Sequence, residues 1–168
     1  MFLFSIFSFI AAIQVAQPPE VVRADGFQII VPHGWSASTL TGAFIRLEHS
    51  NGASLLLTDR STGIPVQNLD SFAKLSAERI MNPLGFAKIG EPRHFRNADQ
   101  QWIEYNIRGN RLAEHRRILY RAIKRKAGLL EITYENSDDN FDVLLSEVQA
   151  ITSSLQTIPR QRPQRSRR

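Results

Sequence analysis

Three adjoining segments decide the fold of this chain: QQWIEYNIRG (100–109), EHRRILYRAIKR (114–125) and GLLEITYE (128–135). Apolar and polar side chains alternate in each of them, which is the pattern of a half-buried β-strand. The links between the segments are short, and links of this length join antiparallel neighbours. The sequence therefore predicts an antiparallel meander at the centre of the domain.

The alternation also predicts two faces for the meander. The core face, which helices should cover, takes Ile103, Tyr105, Ile107, Ile118, Tyr120, Ala122, Leu130, Ile132 and Tyr134. The opposite face takes Trp102, Glu104, Asn106, His115, Arg117, Leu119, Arg121, Leu129, Glu131 and Thr133. On this second face, Glu104 and Glu131 are each expected to meet an arginine across the strands.

The polar face has two interpretations. A solvated, charge-balanced outer face is common in antiparallel sheets and needs no ligand. The alternative is a partner-binding surface built on Trp102, Glu104, Arg117 and Arg121, because Trp and Arg are enriched at interface hot spots. These four residues form the candidate site.

Shorter strands precede the meander. Phe27–Val31 is predicted as a strand that ends at Pro32. Segments 43–49 and 53–59 form a predicted hairpin around Asn51-Gly52, a dipeptide that is a strong hairpin signal. A further strand, interrupted by Pro92, is predicted over 86–96.

Two helices complete the predicted fold. The first is about 13 residues long, is capped by Asn68 and ends at Asn82-Pro83. The second covers about 139–155, capped by Asp138 or Asp139. The fold class is therefore α+β, an antiparallel β-sheet of about six to seven strands packed with two main helices.

The chain begins with an apolar segment. Residues 2–16, FLFSIFSFIAAIQVA, are too few for a typical bilayer span and fit the core of a signal peptide. The pattern Val22-Arg23-Ala24 predicts cleavage between Ala24 and Asp25, with Ala16 as a second candidate. Because no Lys or Arg precedes the run, an uncleaved anchor stays open.

These boundaries predict the domain organisation. A signal peptide covers 1–24, the α+β domain covers 25–158, and a disordered Arg-rich tail covers 159–168. The expected location is periplasmic or extracellular, with no transmembrane span in the mature chain.

The net charge of +5 is located in the tail. Five arginines lie there, Arg160, Arg162, Arg165, Arg167 and Arg168, whereas the charges of residues 25–159 balance. The folded domain therefore has no excess charge for nucleic acid, and the tail either contacts an anionic surface or only solubilises the protein. The chain has no cysteine, which excludes disulfides, thiol catalysis, Cys-ligated metals and a lipidated cysteine.

The order of elements resembles that of the PsbP-like superfamily. The resemblance rests on Phe27–Trp35, where a strand enters Pro-x-x-Trp, and on Ile151–Leu155 at the end of the last helix, and it covers about Gly26 to Gln156. It implies an α/β/α sandwich and a non-enzymatic binding or assembly role in an exported compartment, and it implies no specific site. Trp35 is interpreted as a core residue at the end of the sandwich.

Catalytic motifs are absent from the sequence. There is no Gly-x-Ser-x-Gly elbow, phosphate-binding glycine loop or His-Glu-x-x-His, and the four histidines are scattered singly. We expect no catalytic residue, cofactor or metal. The predicted function is an exported binding or assembly module of the cell envelope with a protein or envelope component as partner. An enzyme without a readable motif and a purely structural envelope protein are the alternatives.

Overall fold

The computed structural model describes residues 19–40, 44–60, 68–126 and 128–159. The strands are β1 (Glu20–Ala24), β2 (Phe27–Val31), β3 (Trp35–Leu40), β4 (Phe44–His49), β5 (Ser54–Asp59), β6 (Gly85–Ile89), β7 (Arg93–Arg96), β8 (Gln100–Arg111), β9 (Glu114–Arg125), β10 (Gly128–Ser137) and β11 (Gln156–Thr157). The helices are α1 (Leu69–Met81) and α2 (Leu145–Ser153).

The strands form two antiparallel sheets. The larger sheet has eight strands in the order β3-β4-β5-β10-β9-β8-β6, with β7 also paired to β8. The smaller sheet has three strands in the order β1-β2-β11. Because β6 and β7 pair with successive parts of β8, they share one edge of the larger sheet.

Both faces of the larger sheet are covered, so the fold is a layered α+β sandwich. Helix α1 packs on one face, against a cluster that includes Ile107, Ile118 and Tyr120. The small sheet and α2 pack on the other face, where Phe27 and Val148 meet Ile132 in the second cluster. Full burial of such side chains contributes about 1.5–3 kcal/mol each.

Helix α1 and the β4–β5 hairpin are determined by local sequence signals. Asn68 caps α1, because its side-chain oxygen accepts a hydrogen bond from the Ser71 amide at 3.1 Å. The hairpin closes around Asn51-Gly52, where Gly52 has φ of +84°. Trp35 is 7 % exposed and lies in the second core cluster, which confirms its predicted core position.

The strand count differs from the predicted six to seven. Strands β1, β3 and β11 are not among the predicted strands, and Pro92 divides the predicted strand over 86–96 into β6 and β7. Helix α2 begins at Leu145 without a side-chain cap, whereas Asp138 and Asp139 lie in preceding turns. The apolar residues Phe141 and Leu144, which precede the helix, and Val148 and Ile151, which lie in it, are nevertheless buried.

The predicted faces of the meander are wrong for β10. Arg125 pairs with Gly128, so Arg121 pairs with Ile132 and Tyr120 with Thr133. A shift of one residue in strand register moves every side chain to the other face. Leu130, Ile132 and Tyr134 therefore lie on the face of Arg121 and Glu104, while Glu131 lies on the α1 face with Tyr120.

The first strand bears on the predicted signal-peptide boundary. All five residues of β1 pair with β2, and Val22 is buried. Cleavage after Ala24 would remove this strand from the small sheet, whereas cleavage after Ala16 would retain it. The cleavage itself stays a prediction, and the apolar run over 2–16 lies outside the described residues.

Two further predictions concern the ends of the chain. The predicted disordered tail covers 159–168, and all of it except Pro159 lies outside the described residues. In the described part of the chain, no helix combines the length and apolarity that crossing a membrane requires.

Candidate functional site

An open groove lies where β8 begins and β9 ends. Its volume is about 420 Å³. The sheet contributes Arg93, Phe95, Gln100, Trp102, Glu104, Arg121, Ile123, Leu130 and Ile132, and the end of α2 contributes Thr152, Ser153 and the following Leu155. We call it the Trp102 groove. It brings together three of the four predicted partner-binding residues: Trp102, Glu104 and Arg121.

A buried ion-pair cluster forms the polar wall of the groove. Glu104 is 1 % exposed, and its Oε2 accepts a hydrogen bond from Nε of Arg121 at 2.6 Å. Its Oε1 accepts a hydrogen bond from a terminal nitrogen of Arg93. Strand register places the three side chains in line, because Glu104 pairs with Arg93 on β7 and with Arg121 on β9.

This cluster carries an excess positive charge. Two guanidinium groups face one carboxylate, and each carboxylate oxygen is already engaged by an arginine. Burial lowers the pKa of Arg121, but a guanidinium stays protonated throughout the range in which proteins work. The Arg93 side chain is 59 % exposed, so its remaining N–H donors can reach an incoming carboxylate.

An aromatic pair forms the apolar wall. Phe95 and Trp102 pair across β7 and β8, and their rings stack with centroids 5.1 Å apart and planes 11° apart. Phe95 remains 38 % exposed although it is a large apolar side chain. The Arg93 guanidinium lies 5.8 Å from the centroid of the Phe95 ring, which is within cation–π range.

The two walls together define what the groove can bind. Stacked rings and aliphatic side chains suit an apolar segment, and the exposed guanidinium suits a carboxylate beside it. Trp and Arg are also the side chains enriched at interface hot spots.

The fourth predicted partner-binding residue lies elsewhere. Arg117 is on the same face of β9 as Arg121, but the buried Leu119 separates the two. Its guanidinium donates to Asp142 at 2.9 Å and lies 4.2 Å from the centroid of the Phe141 ring. Arg117 therefore links β9 to the turn before α2 and does not line the groove.

The prediction that Glu131 meets an arginine of the neighbouring basic strand is wrong, because Glu131 lies on the α1 face and its partner there is Arg60, which directly follows β5. It accepts hydrogen bonds from Arg60 at 2.6 Å and from the Tyr120 hydroxyl at 2.8 Å. Burial, followed by the nearby Glu131 charge, raises the pKa of Tyr120. Because Glu104 and Glu131 lie on opposite faces of the sheet, they cannot form the acid/base pair of a glycosidase-type site.

A second open cavity, of about 560 Å³, lies at the turn between β2 and β3. The Trp35 side chain, which lines this cavity, is already engaged. Its indole N–H donates to Glu147 at 2.9 Å, and its ring packs against His49. Among the residues that the structure describes, no three His, Asp or Glu side chains cluster closely enough to hold a metal ion.

Sequence reasoning missed Arg93 and Phe95, which complete the groove. The segment RHFR over 93–96 alternates, and this was the available signal, but the pairing of β7 with β8 was needed to place Phe95 beside Trp102. No signal in the sequence indicated that the end of α2 borders the same groove.

Comparison with known proteins identifies the fold. No family model matches the sequence, and no curated protein matches it. The chain is similar to cyanobacterial PsbP (CyanoP) from Synechocystis, with 13 % identity, a TM-score of 0.52, and coverage of 90 % of this chain and 98 % of that one. The chain therefore has the PsbP-like fold, as the resemblance implied.

Two other solved structures have the same architecture. One is the Ran-binding protein Mog1p of Saccharomyces cerevisiae, at 10 % identity and a TM-score of 0.58, with 84 % of this chain and 96 % of that one covered. The other is LpqN of Mycobacterium tuberculosis, a protein involved in cell envelope biogenesis, at 10 % identity and a TM-score of 0.55, with 86 % and 88 % covered. Similarity at these identities shows the fold alone.

Proposed function

We propose that this chain, which has the PsbP-like fold, is an exported, non-enzymatic binding or assembly module of the cell envelope. Its partner is a protein segment that binds in the Trp102 groove. The observation that carries the proposal is the open aromatic pair Phe95–Trp102 beside Glu104, a buried carboxylate held by two arginines. A groove of this composition suits an apolar segment that carries an acidic side chain or a terminal carboxylate.

The edge of the sheet beside the groove supports an extended partner. In the described part of the chain, β7 pairs only with β8, so its outer edge is available. An extended segment can add to such an edge by main-chain hydrogen bonds while its side chains enter neighbouring pockets. Arg93 and Phe95, which both line the groove, belong to this strand.

The compartment is supported by two separate observations. The apolar run over 2–16 is typical of a segment that directs export. One structure with the same fold belongs to a protein involved in cell envelope biogenesis. Another belongs to a protein that binds Ran, which supports a protein partner and not the compartment. Contact of the arginine tail with an anionic surface stays a prediction.

The proposal is tested by affinity capture from the envelope fraction with the tagged full chain. We compare the wild type with Phe95→Ala and with a matched control, Leu75→Ala, which removes an exposed apolar side chain from α1. The expected result is a partner that the wild type and Leu75→Ala capture and that Phe95→Ala loses. A partner captured equally by all three proteins would show that the groove is not the binding site.

A further inference from the structure

Two large apolar side chains stand in solvent at the end of the sheet opposite the Trp102 groove. Phe86 is 93 % exposed and Leu112 is 98 % exposed. Phe86 follows Gly85, which pairs with Asn110, and Leu112 lies in the turn two residues beyond Asn110. The two side chains therefore belong to one end of the β6–β8–β9 part of the sheet.

A β-bulge places Phe86 in this position. Gly85 pairs with Asn110 and Lys88 with Arg108, so Phe86 and Ala87 together face Gly109 alone. Of these two residues, Ala87 is the one that packs against Gly109. A Cβ added at Gly109 would lie only 3.2 Å from the Cβ of Ala87. Phe86 has φ of +50°, a conformation that bulky residues rarely adopt, and its ring makes almost no packing contact with the rest of the protein.

The adjacent hairpin turn also holds non-glycine residues in an unusual backbone conformation. Leu112 and Ala113 join the paired residues Arg111 and Glu114, with φ values of +50° and +65°. A two-residue turn with two positive φ values is normally built from Asn-Gly or a similar pair. Phe86, Leu112 and Ala113, which we call the apolar tip, are the non-glycine residues with positive φ in the described part of the chain.

The apolar tip lies at the end of the fold where the first 18 residues join the domain. Glu20, at the start of β1, shares a cavity with His49. His49 and Leu112 both line another cavity, which also includes Gly52 and Arg116. There, Arg116 donates a hydrogen bond to the Gly52 carbonyl. The segment over 2–16 is apolar almost throughout, so a bilayer that holds it would lie next to the tip.

Exposed cations surround the apolar tip. Lys88 and its strand partner Arg108 are exposed, and the Arg111 side chain, beside the turn, is 46 % exposed. Three carboxylates lie nearby: Glu114 pairs with Arg116, Asp138 approaches Arg108 at 3.8 Å, and Glu135 approaches Arg111 at 3.3 Å. With Arg116 counted, four cations face these three carboxylates, and this slightly basic balance suits phosphate headgroups around an inserted apolar side chain.

We propose that the apolar tip docks on a lipid bilayer, with Phe86 and Leu112 inserted at the boundary of headgroups and acyl chains and Lys88, Arg108 and Arg111 against the phosphates. A membrane accounts for the exposure of Phe86 and Leu112, because insertion would bury two side chains that the fold itself leaves in water. It also directs the Trp102 groove, at the other end of β8 and β9, away from the bilayer.

The absence of cysteine permits a site-specific test on the full chain. Single-cysteine variants Phe86→Cys, Leu112→Cys and Leu75→Cys are labelled with an environment-sensitive fluorophore and mixed with phosphatidylcholine vesicles, with or without phosphatidylglycerol. Segment 2–16 is present in all variants, so only the surroundings of the label differ. We expect a blue shift and quenching by nitroxide-labelled lipids at positions 86 and 112, but not at 75.

A further variant separates docking from an effect of the label. With the label at Ala113→Cys, adding Phe86→Ser and Leu112→Ser should reduce lipid quenching to the level measured at position 75. The proposal is overturned if the protein does not move with the vesicles in a density-gradient flotation assay. It is also overturned if it floats while positions 86 and 112 respond no more than position 75, which would leave the tip to a protein partner.

Discussion

Nε of Arg121 donates a hydrogen bond to Oε2 of Glu104 at 2.6 Å, at a point where Glu104 is 1 % exposed. The partly exposed Arg93 holds the second oxygen of the same carboxylate. This cluster fixes the polar wall of the Trp102 groove while leaving one guanidinium partly open to solvent. It therefore joins a contribution to stability to the binding role that we propose, and the two can be measured separately.

The buried cluster should make a large contribution to stability. Glu104→Gln removes the charge that compensates Arg121, and breaking a buried ion pair in this way costs about 3 kcal/mol of unfolding free energy. Urea unfolding measures the loss. The matched control is Glu48→Gln, which breaks an exposed pair with Arg46 and should cost less than about 1 kcal/mol. Equal losses in the two variants would contradict the account of the cluster.

The bulge in β6 depends on a close backbone approach at Gly109. A Cβ added there would lie 2.8 Å from Leu84 Cβ and 3.2 Å from Ala87 Cα. Gly109→Ala should therefore destabilise the protein by about 1–3 kcal/mol, as overpacking does. Gly85→Ala is the control, since its nearest neighbour would be 3.8 Å away. A thermal midpoint for Gly109→Ala no lower than that of Gly85→Ala would show that β6 does not pack so closely.

The stability of the protein should fall at alkaline pH. Burial raises the pKa of Tyr120 in the folded protein, so the unfolded chain loses this proton first, near pH 10. The contribution is fully present below the unfolded pKa and decreases above it, by about 1.4 kcal/mol at pH 11. Urea unfolding between about pH 9 and pH 11 should show a steeper loss for the wild type than for Tyr120→Phe. Parallel pH profiles would mean that Tyr120 is free to ionise in the folded protein.

The first strand should be required for full stability. A chain starting at residue 25 lacks β1 and exposes the edge of β2, whereas a chain starting at residue 17 retains it. Loss of the buried Val22 side chain and of the strand pairing should cost about 3 kcal/mol or more. Thermal unfolding of the two truncated proteins measures the difference. Equal midpoints would indicate that β1 contributes nothing and would favour cleavage at Ala24.

Sequence patterns predicted the elements that depend on local signals. Asn68 and Asn82-Pro83 mark the ends of α1, and Asn51-Gly52 marks the β4–β5 hairpin, because caps and turns are fixed by neighbouring residues. The faces of β10 could not be predicted in this way, since β10 is buried on both faces and alternation carries no information there. Strand β1 was missed because it follows an apolar run that is typical of a signal peptide.

The candidate site was predicted only in part for a similar reason. Trp102, Glu104 and Arg121 were found together because adjacent strands with a short link have a predictable register. Arg117 has the same spacing pattern, yet the turn before α2 covers it. Phe95 and the end of α2 reach the groove through contacts between distant parts of the chain, which no local pattern encodes.

The central claim, that a partner binds in the Trp102 groove, is tested most directly by photo-crosslinking in intact cells. Benzoylphenylalanine is placed at position 95, in the groove, or at position 75 on α1, where the native leucine is 62 % exposed. The account predicts one defined crosslinked protein from position 95 and none from position 75. The absence of that product at position 95, in a protein that remains folded, would contradict it.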